Sequence, residues 1–114
     1  MIEEYKRETI LEIKQTKTDR GICFTVNGSL LGTAHATVEL FDKISLALDR
    51  NPEEIILDIA QASYVDSFSI GLLIGVLLKC REKKITMRME NVPKNVRFVL
   101  ETVRLRDIFP ELYK

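Results

Sequence analysis

Residues 55–78 read IILDIAQASYVDSFSIGLLIGVLL, and this stretch largely determines the architecture. Its first part, Ile55–Ile59, is apolar on both faces, which predicts a strand covered on both sides near the centre of a sheet. Its last part begins a helix that runs to about Lys83 and is apolar nearly all round before Lys79, as in a helix buried on most sides. Ser67 lies at the junction, and we expect it to be exposed at the start of the helix.

The sequence before this stretch predicts a hairpin and a helix. Thr9–Gln15 alternates apolar and charged residues like a strand, and a polar turn over Thr16–Gly21 precedes a second strand. Residues 27–29, which read Asn-Gly-Ser, are expected to end that strand. Apolar residues at helical spacing then predict a first helix from about Thr33 to Arg50.

The sequence around and after residues 55–78 completes an α/β pattern. Glu53 and Glu54 are expected to be solvated charges at the entry to the central strand, and the segment beginning at Ile85 is expected to be a further strand. A later helix is expected to place four apolar residues on one face: Val96, Val99, Leu100 and Val103. Helices alternating with single strands after a hairpin predict a mixed, mostly parallel sheet of about four to five strands with about four helices.

Composition sets limits on the class of protein. The 114 residues predict one domain over residues 1–114, with a core over about 9–109, and 17 basic residues balance 17 acidic ones. No net field therefore attracts the chain to nucleic acid. Residues 1–8 are too charged for a signal-peptide core and no apolar run approaches the ~20 residues that span a bilayer, which predicts a cytoplasmic protein without membrane contact. Cys23 and Cys80 are expected to be reduced, non-functional thiols, and no metal or cofactor is implied.

Four motifs stand out along the chain: the strand that ends at Asp58, the turn Val65-Asp66-Ser67, the helix start Ile70-Gly71-Leu72-Leu73 and the final segment Leu105-Arg106-Asp107-Ile108-Phe109. Together they resemble the STAS domain of bacterial anti-sigma-factor antagonists. The likeness extends from about Thr9 to Phe109 and implies the STAS fold. In that family the serine directly after the aspartate is phosphorylated by a partner kinase, so the resemblance implies that Ser67 is the phosphoacceptor.

The resemblance also implies a function and its partners. An antagonist of this family binds an anti-sigma factor that is also a serine kinase, and a sigma factor is thereby released. Phosphorylation ends the association, and a serine phosphatase restores it. A phosphate adds about −1.5 to −2 charges beside Asp66, which supplies a physical reason for the release. The expected protein is therefore a non-enzymatic switch that is a monomer or a weak dimer.

The sequence departs from the family pattern around the acceptor. The family usually has a small residue and then glycine after the serine, whereas this chain has Phe68 and Ser69. Phe68 either obstructs a kinase or anchors a partner, since aromatic residues are enriched at binding hot spots. The turn after the second strand lacks the usual acidic residue, which leaves Leu30 and Leu31 as exposed contacts or as core. The expected partner-binding residues are Asp66, Ser67, Phe68, Ser69, Leu30 and Leu31.

Some of these residues also have purely structural interpretations. Asp66 and Ser69 are residue types that commonly cap helices. Gly71 and Gly75 are expected to let the helix pack closely against the sheet. Arg104 replaces a glycine of the family pattern, which is costly if the backbone there needs a positive φ.

Two alternative functions follow from the same residues. A serine on a strand-to-helix turn also describes the nucleophile elbow of hydrolases, but that motif needs glycine where Val65 and Ser69 stand. His35, on the first helix, is the only histidine, so we expect a surface histidine and no enzyme. The second alternative is a non-switching STAS scaffold subunit of a larger signalling assembly, with Phe68 at a permanent interface and strong association with itself or with paralogues.

Overall fold

The computed structural model describes residues 11–32 and 34–114, in which four strands form one sheet in the order β1-β2-β3-β4. The strands are β1 (Glu12–Lys17), β2 (Gly21–Leu30), β3 (Glu54–Val65) and β4 (Thr86–Glu90). β1 pairs antiparallel with β2, whereas β2, β3 and β4 pair in parallel. The predicted hairpin and the mixed, mostly parallel sheet are therefore confirmed. Thr9, Ile10 and Thr33, which belong to predicted elements, lie outside the described residues.

Four helices complete the described part of the chain: α1 (His35–Leu48), α2 (Ser67–Lys83), α3 (Lys94–Thr102) and α4 (Leu105–Ile108). α1 connects β2 to β3 and α2 connects β3 to β4, as crossover helices between parallel strands do. His35 is the first residue of α1 and is exposed, as expected. Within the described ranges, no helix is both long and apolar enough to cross a bilayer.

The core lies between the helices and one face of the sheet. Alternate residues of β2 and β3 point into it, because successive side chains of a strand face opposite sides. Among the largest side chains that are less than 2% exposed are Phe24, Leu40, Ile44, Leu57, Ile59 and Leu100. Burial of each such side chain stabilises the fold by roughly 1.5–3 kcal/mol before the entropy of ordering is subtracted.

Both central strands are longer than the sequence pattern indicated. β2 continues through residues 27–29 to Leu30, and β3 continues past Ile59 to Val65. Gly28 has φ 128°, and the β2–β3 register shifts on either side of it, so this segment forms an irregularity within the strand rather than its end. The extension matters because it carries β3 to the residue before Asp66.

The entry to β3 is also more buried than expected. Glu54 is only 7% exposed, because it lies inside the sheet between Gly21 of β2 and Thr86 of β4. Its carboxylate pairs with the guanidinium of Arg88 at 3.4 Å. A side chain at Gly21 would place Cβ 1.9 Å from the Glu54 carbonyl oxygen, so the close approach requires glycine. The expectation of a solvated Glu54 is therefore wrong.

The glycines of α2 face away from the sheet. A Cβ atom added at Gly71 or Gly75 would meet nothing within 4 Å, so the expected close packing of these glycines is wrong. The buried side of α2 carries Ser69, Ile70, Leu73, Val76, Leu77 and Cys80. Phe68 is 66% exposed and Leu78 is 52% exposed. The helix is thus apolar nearly all round in sequence, but it is buried on one side only.

The sequence predicted that the core ends at Phe109, but the residues after Phe109 also pack onto it. Arg104 has φ 58°, the left-handed conformation in which an arginine is less favourable than the glycine of the family pattern. Leu112 is fully buried, and its carbonyl accepts a hydrogen bond from the Met89 N–H at 2.6 Å. The Arg97 and Arg106 guanidiniums each lie 5.0 Å from the centre of the Tyr113 ring. Val103, expected on the buried face of α3, is 46% exposed just after its end.

The two thiols differ in burial, and this difference predicts their reactivity. Cys80 is 3% exposed, and burial raises its pKa to about 11. Cys23 is half-buried on the other face of the sheet, and burial also raises its pKa. Because the thiolate is the reactive form, we expect a thiol reagent at pH 8 to modify Cys23 first and Cys80 only after unfolding. Intact mass against time measures this, with Cys23→Ser as the control, and equal rates in native buffer would contradict it.

Candidate functional site

The carboxyl ends of β2 and β3 meet the start of α2 at one edge of the sheet. The two strands end side by side, at Leu30 and Val65, because they pair in parallel. The Asp66 N–H donates to the Leu30 carbonyl at 3.3 Å, which holds the turn after β3 against β2. Ser67 follows as the first residue of α2 and is exposed, as expected. Two rigid elements therefore fix the position of its backbone.

The Asp66 carboxylate holds this edge together. Its Oδ1 accepts a hydrogen bond from the Ser69 N–H at 2.8 Å, which makes Asp66 the N-cap of α2. The same carboxylate accepts from the Gly32 N–H, at 2.9 Å to Oδ1 and 3.1 Å to Oδ2. Asp66 is therefore the helix cap that its residue type suggested, and it also fastens the β2–α1 loop to α2. We call these three residues the Asp66 clamp.

Gly32 packs directly on the first turn of α2. A Cβ atom at this position would lie 2.1 Å from Cβ of Phe68 and 2.5 Å from the Ser69 nitrogen. Such distances leave no room for a side chain, so only glycine fits. The contact fixes the backbone of Phe68, whose ring extends into solvent. Gly32 is not among the residues predicted for the site, because its only signal in the sequence is a glycine near the end of a strand.

The structure places the six predicted partner-binding residues in two groups. Ser67 and Phe68 are exposed, and Leu31 beside Gly32 is half-buried. Leu30 is 3% exposed and Ser69 is 2% exposed, so both lie in the core beneath the surface. The Asp66 side chain is half-buried. Ser69 Oγ donates to the Asp66 carbonyl at 2.8 Å, which satisfies the buried hydroxyl. Of the six predicted residues, Ser67 and Phe68 are therefore accessible at this edge, with Leu31 at its side.

The electrostatics of this edge suit an added anion on Ser67. The first turn of α2 contains no acidic residue, and the positive end of the helix dipole lies there. The Asp66 carboxylate is already bound by two backbone N–H groups, so part of its charge is compensated locally. A phosphate on Ser67 would therefore be tolerated by the fold, while its charge would face outward.

The third helix begins next to the same edge, a placement that the sequence pattern does not indicate. The Asn95 side-chain amide in the first turn of α3 donates to the Ser63 carbonyl at 2.8 Å. The Ser63 hydroxyl lies 2.9 Å from the Ser29 hydroxyl of the neighbouring strand. Side chains far apart in sequence form these contacts, so no local pattern could have indicated them.

Several solved structures share this fold at low sequence identity. An anti-sigma factor antagonist from Mycobacterium paratuberculosis superposes with a TM-score of 0.75 at 14% identity, over 90% of this chain and 85% of that chain. Unphosphorylated SpoIIAA, an anti-sigma factor antagonist, gives 0.73 at 22% identity, over 90% and 86%. The phosphorylated form of the Bacillus cell fate determinant SpoIIAA gives 0.69 at 21% identity, over 90% and 89%.

The same fold also occurs in a protein of a transporter family. A sulfate transporter family protein from Wolinella succinogenes gives a TM-score of 0.63 at 18% identity, over 80% of this chain and 73% of that chain. At such identities the likeness establishes the fold alone. No curated protein sequence matches this chain. The STAS domain family model matches residues 12–114, which is most of the chain. The chain therefore belongs to the STAS domain family.

Proposed function

We propose that this protein is a cytoplasmic anti-sigma-factor antagonist that binds a kinase-type anti-sigma factor and is switched off by phosphorylation of Ser67. The observation that carries the proposal is the exposed position of Ser67 at the first residue of α2, directly after the Asp66 clamp. The likeness to SpoIIAA, which is known in an unphosphorylated and a phosphorylated form, supports it. A serine phosphatase would reset the switch.

Charge provides the mechanism of release in this proposal. A phosphate on Ser67 places about −1.5 to −2 charges on an exposed helix start. Partner carboxylates or a bound nucleotide nearby would repel it by a few kcal/mol, and about 1.4 kcal/mol corresponds to a tenfold change in affinity. The expected loss of affinity is therefore roughly a hundredfold. The dipole of α2 stabilises the phosphate by roughly 0.3–1 kcal/mol, so the modified protein stays folded.

The outer side of α2 supports a protein partner for this surface. No charged residue occurs from Ser67 to Leu78, so a partner can cover this side of the helix without burying an unpaired charge. Phe68 and Leu78 are both more than half exposed, and the open positions Gly71 and Gly75 lie on the same helix. Exposed apolar surface of this kind is typical of interaction sites.

The scaffold alternative has two observations in its favour. Phe68 is 66% exposed where the antagonist pattern has a small residue, and an exposed aromatic ring suits a permanent interface. The similarity to a sulfate transporter family protein also indicates that this fold is not restricted to proteins that regulate sigma factors. A scaffold would associate strongly with itself or with paralogues and would accept no phosphate, whereas a switch would accept one.

Substitution of Ser67 tests the switch. We expect Ser67→Asp to weaken kinase binding by about tenfold or more, because it adds a charge at the acceptor position. Ser67→Ala should bind like the unmodified protein but should not be released by ATP. The measurements are binding affinity and intact mass after incubation with ATP and each kinase-type anti-sigma factor of the source genome.

The outcomes of this experiment separate the two functions. One added phosphate that is absent from Ser67→Ala would establish the antagonist and identify its kinase. Equal affinity of the Asp and Ala variants would contradict the electrostatic mechanism. No phosphate with any candidate kinase, together with a stable oligomer in solution, would favour the scaffold.

Substitution of Phe68 tests the departure from the family pattern. If the ring anchors the partner, Phe68→Ser should weaken binding by about tenfold, which corresponds to about 1.4 kcal/mol. Leu46→Ser on α1 is the matched control, because Leu46 is 67% exposed and lies on another helix. Faster phosphorylation of Phe68→Ser without loss of affinity would show instead that the ring obstructs the kinase.

Substitution of Asp66 tests the clamp. Asp66→Ala removes the acceptor for the Gly32 and Ser69 N–H groups, and loss of a helix cap alone costs about 0.5–2 kcal/mol. We expect a free energy of unfolding lower by about 2 kcal/mol, measured by urea denaturation. The exposed Asp42→Ala on α1 is the control and should change it by less than about 0.5 kcal/mol. An unchanged value for Asp66→Ala would show that the clamp does not stabilise the site.

A further inference from the structure

One exposed surface of α3 lies next to the Ser67 edge and is not used by the fold. Phe98 is 72% exposed, the highest value among the exposed large apolar side chains of the described residues. Val96 and Leu100 of the same helix are buried, and Phe98 lies on the opposite side, since successive residues of a helix are about 100° apart. The phenyl ring therefore adds almost nothing to the core, although its exposure to water is unfavourable.

Lys94 lies one helical turn before Phe98 on the same side of α3. Residues four apart on a helix are surface neighbours, so the ammonium group and the ring form one patch. Lys94 is exposed and forms no ion pair within the described part of the chain. The patch therefore combines an apolar ring with a positive charge that no described neighbour neutralises.

A hydrogen bond links the helix that carries this patch to β3, the strand that leads to Ser67. The Asn95 side chain, next to Lys94, binds the Ser63 carbonyl near the end of β3, and Ser67 follows four residues later. Leu100 of α3 and Ile70 of α2 also line the same small internal cavity. The start of α3 and the start of α2 thus open onto the same edge of the sheet.

We propose that Lys94 and Phe98 form a second contact of the docking surface around Ser67, and that its occupant is the nucleotide-loaded anti-sigma factor kinase. The inference rests on the proposed function and extends it to a helix outside the Asp-Ser motif. Charge complementarity selects this occupant, because the acceptor site of a kinase carries the phosphates of its nucleotide. The Lys94 ammonium faces that negative charge, and Phe98 occupies an apolar part of the kinase surface.

The test is the affinity of ADP-loaded kinase-type anti-sigma factors for matched variants. We expect Phe98→Ser to weaken binding by about tenfold, as loss of a hot-spot aromatic does. Lys94→Glu should weaken it by about fivefold at low salt and by less at high salt, because salt screens exposed charges. Ile108→Ser on α4 is the control, since Ile108 is 53% exposed, and it should leave affinity within about twofold. Thermal unfolding checks that each variant is folded.

Each outcome separates this inference from the function on which it rests. If Phe98→Ser and Lys94→Glu bind like wild type while Ser67→Asp is weakened, the α3 contact is wrong and the antagonist function stands. If all three variants are weakened and Ile108→Ser is not, the contact is established. If wild type binds no candidate kinase, the proposed function fails and the α3 contact fails with it.

Discussion

The shared carboxylate of Asp66 is the interaction on which the geometry of the site depends. Oδ1 receives the N–H groups of both Ser69 and Gly32, so one side chain ends the turn after β3 and also holds the loop after β2. Without it, the first turn of α2 would lose its cap and the loop would lose its attachment. The exposed serine and phenylalanine therefore lie on a rigid support, which lowers the entropic cost of binding a partner.

Local patterns predicted the architecture well because hydrophobic periodicity and turn residues act over short distances. Ile55–Ile59 was correctly placed in a central strand, and the helix ending at Lys83 was correctly bounded. The pattern failed at residues 27–29, where a glycine in a strand irregularity looks the same as a glycine in a turn. It also failed at Glu54, because the sheet neighbours that bury this residue are distant in sequence.

The candidate site could be predicted only in part. The Asp-Ser motif located the exposed serine at the helix start and the Asp66 cap, since both depend on neighbouring residues. Gly32, by contrast, takes part through a backbone contact with Phe68 that no spacing indicates. The sequence also could not show which side of α2 is buried, because a helix with apolar residues all round has no distinct apolar face. The exposed positions of Gly71 and Gly75 emerge only from the packing of the whole fold.

The carbonyl of Leu112, which pairs with the Met89 N–H, has a consequence for the way this protein can associate. β4 is an outer strand of the sheet, and an outer strand normally offers free backbone groups to a further strand from another chain. Here the chain itself occupies part of that edge. Among the described strands the other outer one is β1, which carries Glu12, Lys14 and Lys17, and such charges discourage strand addition. Partners are therefore directed away from β-augmentation and towards the helical surfaces, where side chains rather than backbone groups determine specificity.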